Sequence, residues 1–339
     1  MSLGLIHKRQ AGLTLIELMI SLALGLIVVA AAIMLFLTGQ KSYSLQQGSA
    51  DLQDNANFGL SYVTKDIRLA NLNALSAEIN DRTKAGGLVL TSKDNGYKDT
   101  AVTPNKIYSN LPDSVTGKTA AVATLSASES HSSNVKLAGT DLKSDQLVIQ
   151  YKPQYTTDPD TAANWFGGFD CEGDRISFAK SAPQRIIVQR YFLREDDNKN
   201  ANEPNQALAL ACDAGWYNES GNPAKVGDYG GEGEIIMKRV DYFRVLLGIQ
   251  KANDHRYIAV KDYMNLSGVK PRILSIQLGA LVRSSQSVGN DALVKNDQKF
   301  QVLDNEVTVK IPANASTKYV RQVVSQTIAL RNTFGERGQ

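Results

Sequence analysis

Residues 13–37 read LTLIELMISLALGLIVVAAAIMLFL, 25 residues with a single charged side chain, Glu17. As a helix rising about 1.5 Å per residue, the stretch is long enough to cover the roughly 30 Å hydrocarbon core of a bilayer. It is too long for the apolar region of an ordinary secretory signal. Ahead of it MSLGLIHKRQAG carries Lys8 and Arg9, and this positive charge favours the cytoplasmic side. The expected arrangement is a cytoplasmic leader, one span, and everything after about residue 40 on the far side. A carboxylate in a span is costly unless paired or neutralised, so Glu17 either reaches the interface from the helix end or has a specific partner.

Outside this segment the 339-residue chain has ordinary globular usage, 42% hydrophobic and 21% charged, which argues against wholesale disorder and a polytopic membrane protein. Lys and Arg total 37 against 34 Asp and Glu, a formal +3 without the basic excess of a chain that grips phosphates. Basic residues are dispersed and no aromatic-basic cluster occurs, so no direct nucleic-acid binding is expected.

Beyond the span, Leu45, Leu52, Ala56, Leu60, Val63, Ile67 and Ala70 step by three, four or seven residues, the stripe of an amphipathic helix that should continue to about Leu72. Gly25, Gly39 and Gly48 are candidate bends or unwound points, since Gly costs about 1 kcal/mol relative to Ala in a helix interior. Residues 76–144 shift to Ser, Thr, Asn, Asp, Lys, Ala and Gly and should be loop-rich with a few short strands. Runs rich in β-branched and aromatic residues then recur at 146–151, 185–193, 206–212, 240–249, 272–282 and 318–331. They predict an α+β fold, a mostly antiparallel sheet half covered by the helix.

The two cysteines, Cys171 and Cys212, lack the spacing of a zinc site or a Cys-x-x-Cys redox motif. They are one bridge or two thiols, and the oxidising compartment expected for the body favours a structural disulfide. Closing a loop of about 40 residues, it would contribute roughly 4 kcal/mol in the chain-entropy model.

No catalytic constellation is legible. Apart from His7 in the basic leader, the histidines are His131 and His255, both in polar segments read as exposed and neither in an H-E-x-x-H motif. No G-x-S-x-G elbow occurs, and Gly230-Gly231-Glu232-Gly233 lacks the Gly-Lys-Ser/Thr ending of a phosphate loop. Asp196, Asn198 and Asn200 have the alternating oxygen spacing that begins a calcium loop, but Ala201 replaces the expected Gly and Ala207 the bidentate Glu. A solvated connection between two strands is the better reading. No cofactor and no enzyme activity are expected.

Gly12 followed by Leu13-Thr14-Leu15-Ile16-Glu17-Leu18-Met19-Ile20 resembles the class III signal of type IV pilins and type II secretion pseudopilins. It combines a short basic leader, a Gly before the apolar stretch, and Glu at the fifth residue after that Gly. The resemblance implies that a prepilin peptidase cuts between Gly12 and Leu13, that Leu13 is N-methylated, and that the apolar segment is retained. Leu13 departs from the Phe usual at that position. Glu17 becomes an assembly residue, pairing with the new amine of a neighbouring subunit to favour axial register.

The body narrows the resemblance. Asp145-Gln146-Leu147-Val148-Ile149-Gln150-Tyr151, Phe169-Asp170-Cys171-Glu172-Gly173, Val240-Asp241-Tyr242-Phe243-Arg244-Val245-Leu246-Leu247-Gly248-Ile249 and Val324-Ser325-Gln326-Thr327-Ile328-Ala329-Leu330-Arg331-Asn332 look in turn like the body of a PilW-type minor pilin. The implied fold is pilin-like: leader 1–12, transmembrane and assembly helix 13–37, amphipathic continuation 38–75, loop-rich αβ-type region 76–144, and β-rich periplasmic head 145–339. The implied function is that of a type IV pilus minor pilin that primes fibre assembly in a minor-pilin complex and sits at or near the tip, supporting twitching motility, adhesion or DNA uptake. Other minor pilins, the major pilin, the prepilin peptidase, the assembly platform and the inner membrane are the implied partners, with room for a tip adhesin. The implied location is the inner membrane, single-pass, and then the fibre. The rivals are a J-class pseudopilin of type II secretion and a signal-anchored periplasmic enzyme or binding protein, which predicts no cut after Gly12.

Overall fold

The computed structural model describes residue 12 and residues 14–115, 124–200, 203–223, 226–251, 254–289, 294–295, 298–312, 315 and 317–333. They fall into two compact units, one up to Gln47 and one from Gly48 onward. Helix α1 (Leu15–Ile67) begins in the first and ends in the second, and none of Gly25, Gly39 and Gly48 is unwound. In the first unit the large apolar side chains are exposed, Leu15 by 79% and Leu35 by 76%. A soluble monomer does not leave so continuous an apolar surface bare, so this segment requires lipid or other helices around it. Among the described residues, α1 is the helix long and apolar enough to cross a membrane.

From Gly48 the helix is amphipathic. Leu52, Ala56, Leu60, Val63 and Ile67 are buried, while Asp51, Asp54, Phe58 and Lys65 face outward. Each buried Leu, Ile or Val contributes about 1.5–3 kcal/mol. Gly59 permits a close approach, because a Cβ there would lie 2.8 Å from Cε and 2.9 Å from Cβ of Met237. The helix stops at Ile67, short of the Leu72 that its periodicity suggests. Hydrogen-bonded turns follow, with Asn71 and Asn73 at φ 65° and 53°, a left-handed conformation that Asn tolerates. Asn71 is held there by distant partners: its N donates to Gln150 O, its Nδ2 to Ser76 O and Asn332 O, and its Oδ1 accepts from Gly87 N.

The strands of the second unit begin with β1 (Tyr97–Asp99), β2 (Lys106–Tyr108), β3 (Ala127–His131), β4 (Val135–Leu137), β5 (Thr140–Asp141) and β6 (Ser144–Tyr151). Next come β7 (Thr156–Thr157), β8 (Asn164–Phe169), β9 (Arg175–Ala179), β10 (Arg185–Glu195), β11 (Leu208–Asn218) and β12 (Glu234–Met237). The last are β13 (Val240–Lys251), β14 (Asp254–Ala259), β15 (Arg272–Arg283), β16 (Lys299–Val302), β17 (Asn305–Val309) and β18 (Arg321–Ala329). Two larger antiparallel sheets, β12-β11-β10-β6-β3 and β14-β13-β15-β18, receive the apolar face of α1. The pleat sorts the side chains: Leu147 and Ile149 join the core beneath the helix, whereas Val148 joins a second core on the other face.

The expected half-covered sheet is covered on both faces. Val89, Leu111 and Val115 from the loop-rich region pack on Val148, Val188 and Tyr217, and Val135, Phe300, Val302 and Val307 pack on Tyr242 and Leu281. This is why β6, β10 and β13 are buried along almost every residue, their polar side chains included.

One carboxylate sits in the interface between helix and sheet. Asp66 accepts the Tyr191 hydroxyl at 3.1 Å, and burial pushes its pKa from 3.8 up to about 6. The folded state therefore binds its proton more tightly than the unfolded one, a stabilisation complete below about pH 4 and lost as pH rises through about 6. Asp66→Asn cannot ionise and should raise Tm relative to the natural chain at pH 7, with the gap shrinking toward pH 4; thermal melts showing a constant gap would refute the assignment. Gly59→Val should destabilise the second unit by about 1–3 kcal/mol through overpacking against Met237, read from denaturant midpoints.

Candidate functional site

Thr14 caps α1. Its Oγ1 accepts the Glu17 backbone N–H at 3.3 Å, and its carbonyl oxygen accepts Leu18 N–H at 3.1 Å. Thr14-Leu15-Ile16-Glu17 is therefore the Ser/Thr-x-x-Glu pattern of a capping box, with Glu17 at the positive end of the helix dipole. The pattern is present in the sequence, where Glu17 stands out first as a charge in an apolar run. Farther along, Ser21 Oγ donates to Glu17 O at 2.7 Å and Thr38 Oγ1 to Met34 O at 2.8 Å, so neither hydroxyl is left unsatisfied in apolar surroundings. Gly12 and Glu17 are exposed, whereas Leu13, where cleavage and methylation are expected, and residues 1–11 lie outside the described residues.

In the second unit the two larger sheets are joined by side chains rather than by a ladder. Ser144 Oγ accepts Phe243 N–H at 3.2 Å, and Asp145 accepts Val245 N–H at 2.8 Å and Glu129 N–H at 3.0 Å. Arg244 lies 3.3 Å from Asp145 and grips Asp304 with two bonds of 2.8 and 2.6 Å. The 145–151 and 240–249 stretches quoted above thus supply both sides of this seam.

Asp196, Asn198 and Asn200 lie in the connection from β10 to β11, as expected, with Asn198 and Asn200 exposed but Asp196 buried. Asp196 pairs with Arg239 at 2.7 Å, the Asn198 carbonyl accepts from the same guanidinium at 2.8 Å, and Asn200 N donates to Glu203 Oε1. Glu203 bridges Arg239 at 2.8 Å and Arg283 at 2.6 Å, while Asp241 lies 3.7 Å from Arg283 and 2.8 Å from Arg321. Of the groups that resemble the start of a calcium loop, the Asp196 carboxylate and the Asn198 carbonyl are therefore directed at Arg239. Three buried carboxylates and three guanidiniums neutralise one another, and breaking any one pair would strand a charge away from water. No local spacing in the sequence joins these residues, which run from Asp196 to Arg321.

Cys171 and Cys212 form the disulfide, with Cα atoms 6.1 Å apart, tying the turn between β8 and β9 to β11. The Tyr62 hydroxyl donates to Cys171 O at 3.0 Å, so the helix is fastened to the same point. His255 is exposed, but His131 corrects its expected exposure. It is half-buried on β3, its Nε2 2.7 Å from Gln146 Oε1 and its ring against Phe192, and burial pushes its pKa down. Among the described residues no group of three or more His, Cys, Asp or Glu is arranged to hold a metal ion.

Residues 216–332 match the family model described as Type IV Pilus-assembly protein W, and residues 7–33 match the one described as Prokaryotic N-terminal methylation motif. The chain matches no curated protein. Among solved structures a type IV-like pilin from Thermus thermophilus is similar over 83% of this chain and 96% of its own, at 10% identity and a TM-score of 0.37. The first model takes in the last three residues of β11 and continues through β18, and the second takes in the capped start of α1. Residues 216–332 are thus similar to the type IV pilus-assembly protein W family, and residues 7–33 to the prokaryotic N-terminal methylation motif.

Proposed function

We propose that the chain is a minor pilin that primes type IV pilus assembly within a minor-pilin complex and resides at or near the fibre tip, so that its loss impairs twitching motility, adhesion or DNA uptake. The observation that carries this reading is the capped, apolar start of α1, with Glu17 in its first turn, inside the matched methylation motif. In this reading a prepilin peptidase cuts between Gly12 and Leu13 and leaves a methylated amine at Leu13. The exposed apolar helix lies in the inner membrane with the second unit in the periplasm, until the assembly platform moves the subunit into the fibre. There other pilins replace lipid around the same side chains.

Glu17 then has a specific task. A carboxylate held in the first helical turn can pair with the positive amine of a neighbouring subunit, and in low dielectric only the register that pairs them avoids two stranded charges. The work is done by packing, and no side chain is assigned a catalytic step.

Intact mass of the chain extracted from the membranes of its native host should correspond to a start at N-methylated Leu13. A retained leader in cells with working prepilin peptidase would favour a tethered periplasmic protein instead. Glu17→Ala should insert normally but reduce surface pili and capture of partner pilins, the lost pair costing on the order of 3–5 kcal/mol per contact. Unchanged piliation and unchanged capture would remove Glu17 from assembly.

A further inference from the structure

The sheet β14-β13-β15-β18 ends at β18, and the outer edge of that strand is open. Its register with β15 runs from Ser275↔Ala329 to Arg283↔Arg321 without a bulge. At one end Leu330 N–H donates to Leu274 O at 2.8 Å, and at the other Ser284 N–H donates to Val320 O at 2.8 Å. Hydrogen-bonded pairs alternate along an antiparallel ladder. Gln322, Val324, Gln326 and Ile328 therefore bond to β15, and Val323, Ser325, Thr327 and Ala329 turn their N–H and C=O groups outward. Among the described residues nothing bonds to these outward groups. Natural sheets protect such an edge with proline, bulges or charges on the strand itself. Here the strand Arg321–Ala329 has no proline, and its one charge, Arg321, is taken up by Asp241 at 2.8 Å. Ser325, Gln326 and Thr327 are exposed in succession.

The edge opens onto a cationic groove. Val324 and Ile328 pack into the core beneath α1, so the face of β18 that carries them and Gln326 is the one turned toward the helix. Between Gln326 and the last turns of α1 lies a groove of about 500 Å³, lined by Thr64, Lys65, Arg68 and Arg331. Among the described residues none of these three cations forms a salt bridge, and Asp66, next to Lys65 in sequence, is buried and bonded to Tyr191. Lys65 and Arg68 lie at the negative end of the α1 dipole, and Arg331 adds a third charge from beyond β18. Thr64, only 7% exposed, has a buried hydroxyl with no hydrogen-bond partner among the described residues.

We infer that β18 receives an added strand from a different subunit, an extended segment with carboxylates at alternate positions. Backbone bonds to Val323, Ser325, Thr327 and Ala329 lengthen the sheet by one strand, and every second side chain of the incoming segment faces the groove. Unpaired cations on that face select Asp or Glu there, since a basic segment would be repelled and an uncharged one would leave them unmatched. The inference rests on the minor-pilin reading, which supplies a complex of different subunits. It deepens that reading by stating where one of them binds and through what chemistry.

The test is in-cell photocrosslinking of the full chain in its native host, with p-benzoylphenylalanine replacing Thr327, an exposed side chain on the open edge. The crosslinked peptide, sequenced by mass spectrometry, is expected to come from another pilin and to carry Asp or Glu at alternate positions. Ser325→Pro removes an outward N–H and leaves the ladder to β15 whole, so it should lower the crosslink about tenfold, whereas Ser325→Ala should not change it. Lys65→Glu with Arg68→Glu should also lower it about tenfold. An unchanged Tm of the detergent-solubilised chain separates these losses from unfolding, and where the proline lowers Tm the glutamate pair alone decides. A crosslink to a second copy of this chain, a segment without alternating carboxylates, no crosslink, or a yield that survives the variants, in cells whose pili contain the chain, would overturn strand addition and leave the pilus reading standing. A yield raised by the two glutamates would do the same, because the cations would then guard the edge instead of attracting a partner. A segment with alternating carboxylates and both sensitivities, but from a protein outside the pilus and in cells whose pili lack the chain, would overturn the pilus reading and keep strand addition.

Discussion

The second unit depends on one act of burial, the apolar face of α1 from Leu52 to Ile67 laid across two antiparallel sheets. Neither sheet offers another large apolar layer on that side, and a lone half-helix of this length would be marginal in water. Helix and sheets therefore stabilise each other or not at all. Gly59 sets how closely they approach, and Asn71 sets where the helix ends and the chain turns back toward Gln150.

Much of this was legible because it is local. The stripe from Leu52 to Ile67 repeats within a few residues, and the six β-branched runs coincide with strands, since both periodicities follow from backbone geometry alone. The Gly12 to Glu17 motif is likewise contiguous. What escaped is long-range. The end of α1 is decided by Asn71 reaching Asn332, 261 residues away, and propensity carries no trace of such a bond. The burial of β6 on both faces requires Val89 and Leu111, which sit in a stretch whose composition reads as loop.

The charged groups divide along the same line. Asp196 looks like part of a loop in water until Arg239, 43 residues on, is brought beside it. The Asp145–Arg244 seam holds two strands that no ladder connects, the six-charge cluster ties the 196–203 connection to β13, β15 and β18, and their directional bonds accept only one arrangement. Apolar packing tolerates small slips in register, whereas a carboxylate between two guanidiniums does not. That selectivity matters in a subunit whose neighbours must meet it in a fixed orientation.

The disulfide has a mechanical side. Cys171 and Cys212 enclose 41 residues' separation of chain, including β9 and β10, and Tyr62 of α1 is bonded to the carbonyl of Cys171. Tension entering at α1 would arrive beside the covalent link rather than at a free strand end. About 140 Å of contour length, at roughly 3.4 Å per extended residue, is thereby withheld from extension. Under load the β10 strand at the centre of its sheet can be bent or sheared, but it cannot be drawn out like thread from a spool.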